Sequence, residues 1–131
     1  MNLVRSETII PLDRIILSKK MNDKINDYDP KLSSSFEIKD DNCFGLDDEK
    51  LRNIIRDMNS NDIFPPIDVI QVVTSKTYKA YIPPALRNKY GGKENIILVQ
   101  PKYEVLNGRH RVVASIITGK SSINCNVFLM A

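Results

Sequence analysis

Apolar residues recur at helical spacing in two parts of the chain, and each set predicts an amphipathic helix. The first set follows acidic residues 47–49, which suit an N-cap and a first turn, and consists of Leu51, Ile54, Ile55 and Met58. The second set follows a glycine turn, stops at Gly119, and consists of Val112, Val113, Ile116 and Ile117. Both stripes are expected to face one core.

Extended segments surround these two helices. A β-branched run, Ile67–Val73, follows Pro65-Pro66 and predicts a buried strand. Other predicted extended pieces are Glu7–Leu12, Arg14–Leu17, Asn95–Gln100, Tyr103–Leu106 and Ser122–Met130. Because the strands cluster and the helices do not alternate regularly with them, we predict an α+β fold with a mixed sheet rather than a doubly wound one.

Two segments do not show the strong patterns of the rest. Residues 18–45 are rich in Lys, Asn, Asp and Ser, with little periodicity, and predict a long surface excursion, in part mobile. Residues 75–102 are interpreted as an insert with a short helix, which begins after Pro83-Pro84 and ends at Gly91-Gly92. The prediction is thus a single domain over residues 1–131.

The segment Leu106–Ala114 combines a predicted strand end, a glycine and a helix start. Its first helical turn would hold Arg109, His110 and Arg111. Cations at a helix N-terminus cost about 0.3–1 kcal/mol each unless an anion is bound, so the glycine turn is interpreted as the start of a phosphate-binding helix. Two alternatives remain: an Asn-Gly hairpin with a returning strand at Arg109–Val113, and a solvated helix start without a ligand.

Composition limits the class of protein. The chain has 131 residues, 42% of them hydrophobic, which is enough for one domain and too little for two. No apolar run approaches the roughly 20 residues that span a bilayer, and no signal-peptide core begins the sequence, so a cytoplasmic protein without a membrane partner is expected. Cys43, Cys125 and one histidine do not supply a usual zinc site, and no metal ligands are predicted.

The charge is distributed unevenly. Residues 1–74 have ten Lys and Arg against fourteen Asp and Glu, whereas residues 75–131 have nine against two, a formal charge of +7. Such a half suits a polyanion such as a nucleotide or DNA, although a lysine-rich solvated surface has the same composition. The candidate nucleic-acid contacts in the insert are Lys76, Lys79, Arg87, Lys89 and Lys93.

Three segments together resemble the ParB/sulfiredoxin superfamily. Ile9–Asp13 resembles the I-P-L-x-x-I start of ParB-like domains, and Leu51–Met58 leading into Pro65–Val69 resembles the helix and the Pro-Pro-Ile-Asp-Val strand of sulfiredoxins. Asn107–Arg111 with Ala114 resembles the D-G-x-H-R-x-x-A signature of ParB-like nucleases. The resemblance covers most of the chain outside residues 18–45 and 75–102, and it implies a ParB/sulfiredoxin-like domain.

The resemblance also implies a ligand. Members of this superfamily bind a nucleoside triphosphate, such as ATP or CTP, at the glycine turn, with Mg²⁺ expected to be held mainly by the phosphates. Transferred to this chain, the nucleotide-binding residues are Lys50, Asn53, Asn107, Gly108, Arg109, His110 and Arg111. Lys50 matches a lysine that sulfiredoxins use beside the nucleotide, and Asn53 falls where they have a polar contact.

The chain departs from the family pattern at two positions. Arg109 stands where sulfiredoxins have their catalytic cysteine, so we do not expect a sulfinic-acid reductase. Asn107 stands where many ParB-like nucleases have aspartate, which puts any chemistry that uses that carboxylate in doubt.

Three functions follow as hypotheses. The first is an enzyme that hydrolyses or transfers phosphate groups of a nucleotide or cuts DNA, with His110 and Arg111 as the candidate catalytic residues. The second is a non-catalytic module in which a bound nucleotide or DNA controls contact with another protein. The third is a residual fold without a ligand.

Overall fold

A computed structural model describes residues 3–32, 36–40, 45–72, 77–99 and 101–130. The strands are β1 Leu3–Pro11, β2 Ile15–Ser18, β3 Ile38–Lys39, β4 Ile67–Val72, β5 Thr77–Tyr81, β6 Asn95–Val99, β7 Lys102–Asn107 and β8 Ser122–Met130. The α-helices are α1 Lys19–Tyr28, α2 Asp48–Asn59 and α3 Arg109–Ile117, and two 3-10 helices cover Leu12–Arg14 and Pro84–Tyr90.

Six strands form one sheet in the order β1-β8-β4-β7-β2-β3. The β1–β8 and β4–β7 pairs are antiparallel, whereas β4–β8, β2–β7 and β2–β3 are parallel. The sheet is therefore mixed and the α+β class is confirmed. The β4–β7 ladder has a register shift between Asp68 and Val69, close to the end of β7 that leads into α3.

The core lies between this sheet and the three α-helices. On β4, Ile67 and Val69 are buried while Asp68 and Ile70 are half-buried, the alternation of a strand with one face on a core. Residues 112–116 of α3 are all buried, and α3 contacts both α1 and α2. The predicted stripe of α2 is oriented as expected, with Leu51 and Met58 buried and Ile54 and Ile55 packed at its edges.

The prediction of a surface excursion over residues 18–45 is wrong for its first part. Residues 19–28 form helix α1, and the side chain of Ser18 caps it by accepting a hydrogen bond from the Met21 N–H at 3.2 Å. Met21 and Ile25, which are buried, anchor α1 to the core. Two apolar residues one turn apart in a polar segment were too few to indicate a helix, because most of the stability of such a helix comes from tertiary packing.

The predicted insert contains a two-stranded sheet that is separate from the six-stranded one. β5 and β6 pair as an antiparallel two-stranded sheet. Between them the predicted short helix is present as a 3-10 helix, with Pro84 in its first turn and Gly91 in the left-handed conformation after its end. Within the described ranges, the helices are too short or too polar to cross a membrane.

Candidate functional site

The turn between β7 and α3 can be made only by glycine. Gly108 has φ +105°, and a β-carbon built on it would lie 2.4 Å from Cγ2 of Ile67. A side chain at this position would therefore be strained by its conformation and would also collide with β4. α3 follows directly from Arg109, so the alternative of an Asn-Gly hairpin with a returning strand is wrong.

A cavity of about 300 Å³ opens at this turn, and we call it the anion cavity. Its walls come from α2, from the end of β7 and from the first turn of α3. The lining residues are Lys50, Ile54, Leu106, Asn107, Gly108, Arg109, His110 and Arg111. The structure thus brings together every predicted nucleotide-binding residue except Asn53, which is exposed on α2 and does not line the cavity.

The charge in the anion cavity is of one sign. Lys50, Arg109 and Arg111 are cationic, and the first N–H groups of α3 add the partial positive charge of a helix N-terminus. None of the described residues that line it is acidic. Lys50 is exposed, while Arg109 and Arg111 are half-buried, so the arginine charges are less screened by water than those of surface lysines.

His110 joins the starts of α2 and α3. Its Nε2 accepts a hydrogen bond from the Asp47 N–H at 2.9 Å, and Asp47 is the N-cap of α2, accepting from the Lys50 N–H through Oδ1. Burial, together with the charges of Lys50 and Arg109, lowers the pKa of His110 below its ordinary value of 6.5, against the opposing effect of Asp47. The lowered pKa and the acceptor role of Nε2 both favour the neutral ring, and in that form the proton would be on Nδ1.

Arg111 joins α3 to the loop that precedes β4. Its Nη1 donates to the carbonyl oxygens of Pro65 at 2.5 Å and Pro66 at 3.3 Å. The guanidinium therefore has a structural contact as well as its place in the anion cavity. Since proline lacks an N–H donor, the Pro65-Pro66 loop depends on its carbonyl groups for such links.

A second cavity, of about 270 Å³, was not predicted from the sequence. It lies at the C-terminal half of α2, the following loop, α3 and the start of β8. Its lining residues are Met58, Asn61, Asp62, Phe64, Pro65, Ile67, Arg111, Ser115, Lys120, Ser122, Ile123 and Asn124. These residues come from several separate segments, so no local pattern in the sequence could have indicated them. Of the described residues, Arg111 is the one that lines both this second cavity and the anion cavity.

The candidate nucleic-acid residues of the insert differ in their contacts. Lys79, Lys89 and Lys93 are exposed. Arg87, by contrast, donates from Nη2 to the Tyr81 hydroxyl at 3.0 Å and from Nε to the carbonyl oxygen of residue 82 at 3.2 Å, and it lies over the Tyr81 ring. Arg87 therefore stabilises the insert itself. Lys76 lies outside the described residues.

The cysteine that the structure describes, Cys125, does not supply a reactive thiolate to this site. Cys125 is buried in β8, and burial raises the pKa of its thiol to about 11, so it is protonated at neutral pH. Cys43 lies outside the described residues. Within the ranges that the structure covers, no three His, Cys, Asp or Glu side chains are grouped as metal ligands.

Comparisons with known proteins add no family assignment. No protein-family model, no curated protein and no solved structure matches this chain. Function is therefore inferred from the two cavities, their side chains and the three sequence segments.

Proposed function

We propose that this protein is a ParB/sulfiredoxin-like domain that binds the phosphates of a nucleoside triphosphate in the anion cavity. The observation that carries the proposal is the convergence of Lys50, Arg109 and Arg111 on one cavity at the N-terminus of α3. Anions are favoured at such a point, because the cationic side chains and the positive helix terminus all attract negative charge. A polyphosphate offers several negative oxygens, which these side chains and the first N–H groups of α3 can bind together.

Magnesium fits this proposal as a companion of the phosphates. Mg²⁺ prefers oxygen ligands and usually keeps several waters, so it is bound to nucleotides with few protein ligands. Asn107 is the one residue lining the anion cavity with a neutral side-chain oxygen. The residues of this cavity therefore suit a nucleotide that carries its own metal ion better than a metal site made by the protein.

Between a hydrolase and a binding module, the contacts of His110 favour the module. A general base needs an acceptor atom directed at the attacking water, and Nε2 of His110 is already engaged by the Asp47 N–H. Within the part of the chain that the structure covers, the lining of the anion cavity offers no carboxylate in its place. The module would bind a nucleotide. A protein or DNA partner would then contact either the nucleotide or a protein surface that the nucleotide orders. Hydrolysis of phosphate esters is the second candidate function.

Binding of inorganic tripolyphosphate and of ATP, CTP and GTP, with and without Mg²⁺, tests the proposal by calorimetry. Lys50→Ala is the preferred variant, because Arg111 also holds Pro65 and its loss would affect stability. Removal of one exposed phosphate contact should weaken binding about tenfold, a loss of about 1.4 kcal/mol. Lys79→Ala, which removes an equal charge from the insert, is the control and should have no effect.

Two results would contradict the proposal. One is the absence of tripolyphosphate binding to the wild-type protein at low ionic strength. The other is an equal loss of affinity in Lys50→Ala and Lys79→Ala, which would mean that the anion responds to net charge and not to the cavity. Release of phosphate from a bound triphosphate, abolished by a substitution of His110, would instead support the hydrolase.

A further inference from the structure

The anion cavity and the second cavity lie along one seam between α2 and α3. On α2, Lys50, Ile54 and Met58 follow one another at intervals of four residues and so share one face. The first two line the anion cavity and the third lines the second cavity. On α3, Arg111 and Ser115 are spaced in the same way and continue the seam. The two cavities are therefore separated by about one helical turn, or roughly 5–6 Å.

The chemistry of the second cavity differs from that of its neighbour. Phe64, half-buried, lies with Met58 and Ile67 in its lining and provides an apolar wall with one aromatic ring. Asn61 and Asp62, which are exposed, add hydrogen-bonding groups to the same lining. Apolar surface with a few polar groups is the usual composition of a site for a planar organic ring. The volume of about 270 Å³ is sufficient for one heterocyclic ring and a sugar.

We propose that the second cavity receives the base and the sugar of the same nucleotide whose phosphates lie in the anion cavity. This inference rests on the proposed function, because it assumes that a nucleotide is the ligand. Among the residues that the structure describes, Arg111 alone lines both cavities, and its bond to Pro65 is at the protein surface. The ligand would pass over this side chain from one cavity to the other.

The proposal also assigns a class of base. The carboxylate of Asp62 can only accept hydrogen bonds, so it favours a base edge that presents N–H groups. Phe64 would offer its ring to the face of any base. The two ends of the nucleotide would thus be bound by different interactions. The phosphates would be bound by charge, and the base by apolar contact and hydrogen bonds.

The test compares inorganic tripolyphosphate with ATP, GTP, CTP and UTP on the full-length chain. Wild-type protein should bind at least one nucleoside triphosphate about tenfold more tightly than tripolyphosphate, the effect of one base–aromatic contact. Phe64→Ala should abolish this preference and leave tripolyphosphate affinity unchanged. Ile63→Ala is the matched control, because Ile63 is the adjacent residue, is 97% exposed and does not line either cavity.

A second variant keeps the test valid if Phe64→Ala fails to fold. Asp62→Ala changes an exposed side chain and should weaken binding of triphosphates whose bases present an amino group more than binding of UTP. The inference is overturned if nucleoside triphosphates bind no more tightly than tripolyphosphate, or if Phe64→Ala and Asp62→Ala, both folded, keep the wild-type preference. In either case, if tripolyphosphate still binds and its binding depends on Lys50, the proposed function remains supported. If tripolyphosphate fails to bind, the proposed function fails, and this inference with it.

Discussion

Two glycine turns of this protein look alike in sequence and differ in their surroundings. Gly108 has φ +105°, and Gly91 and Gly92 have φ +69° and +78°. Both turns have positively charged residues within three positions. A β-carbon added at Gly108 would collide with Ile67, whereas none of the described atoms lies within 4 Å of one added at Gly91 or Gly92. The first turn is fixed by packing on β4, and the second is constrained only by its own backbone.

The difference extends to the neighbouring charges. Arg109 and Arg111 are half-buried beside the packed turn and line a cavity. Lys89 and Lys93 are exposed beside the open turn. Half-buried cations are held in place and screened less, so they can discriminate among anions, whereas exposed lysines attract any polyanion weakly. The two turns have similar charged residues in sequence. Only the turn at Gly108 is packed against the core, and this packing makes it a candidate binding site.

The largest expected effect comes from a methyl group at the packed turn. Gly108→Ala should lower the free energy of unfolding by about 3 kcal/mol or more, because the left-handed conformation costs about 1–2 kcal/mol and overpacking against Ile67 adds a similar amount. Urea unfolding followed by circular dichroism measures this loss. If the variant does not fold, it will show no cooperative transition, which corresponds to a loss larger than the whole free energy of unfolding.

Gly91→Ala is the matched control. Its φ of +69° imposes the conformational cost, but the added methyl group meets no neighbour, so the loss should be about 1 kcal/mol. Equal losses at the two glycines would mean that the collision at Gly108 is relieved by a small movement of Ile67. The contrast between the packed and the open turn would then be lost.

A smaller effect is expected from pH. The pKa of His110 in the folded protein is below 6.5, so on acidification the unfolded chain takes up the proton first. Stability should therefore be complete above about pH 6.5 and should fall as the pH is lowered from there through the pKa of the folded state. Protonation also removes the Nε2 acceptor from the Asp47 N–H. Unfolding by urea between about pH 8 and pH 5 measures the loss.

His110→Gln keeps an acceptor oxygen and removes the titration, so it should flatten the pH dependence in this window. The NMR titration of the His110 ring gives an independent value. Bound tripolyphosphate should raise the pKa of His110, because an anion favours the imidazolium against Lys50 and Arg109. If the pKa is unchanged when tripolyphosphate binds, the anion is elsewhere and the packed turn is not the binding site.

Much of the fold could be predicted because the relevant signals are local. The acidic start and apolar stripe of α2, and the glycine before α3, depend on residues a few positions apart. α1 was missed because only two of its residues, Met21 and Ile25, are buried, and that burial depends partly on α3, which is far away in sequence. Local pattern carries little information about such a helix.

The candidate site, like the fold, could be predicted from the sequence only where its residues lie close together in the chain or on a helix with a clear pattern. The cations of the anion cavity are adjacent in sequence or carried by a strong helix, and so they were found. The bond of His110 to Asp47 and that of Arg111 to Pro65 join residues 63 and 46 positions apart. These bonds change the roles of both side chains, and only the assembled fold contains them. The second cavity was missed for the same reason.

The smallest effect is expected for DNA and the exposed lysines of the insert. Duplex DNA should bind weakly, with affinity that falls steeply as salt rises, because each neutralised phosphate releases counterions. Lys89→Ala with Lys93→Ala removes two contacts and should reduce the slope of log affinity against log salt by about 2. A labelled duplex titrated at several salt concentrations measures the slope.

Lys19→Ala with Lys20→Ala is the control for this experiment, because both lysines are exposed at the start of α1 and the change in net charge is the same. If DNA contacts the insert, the control keeps the wild-type slope. Equal reductions would show that the net charge attracts DNA without a defined surface.

Arg87→Ala should act differently from both lysine pairs, because Arg87 is bonded to Tyr81 and its loss loosens the insert. Its effect should appear as lower stability of the insert and only secondarily in DNA affinity. A slope unchanged in both lysine pairs, or no binding at low salt, would contradict DNA binding by the insert and leave the anion cavity as the proposed anion site.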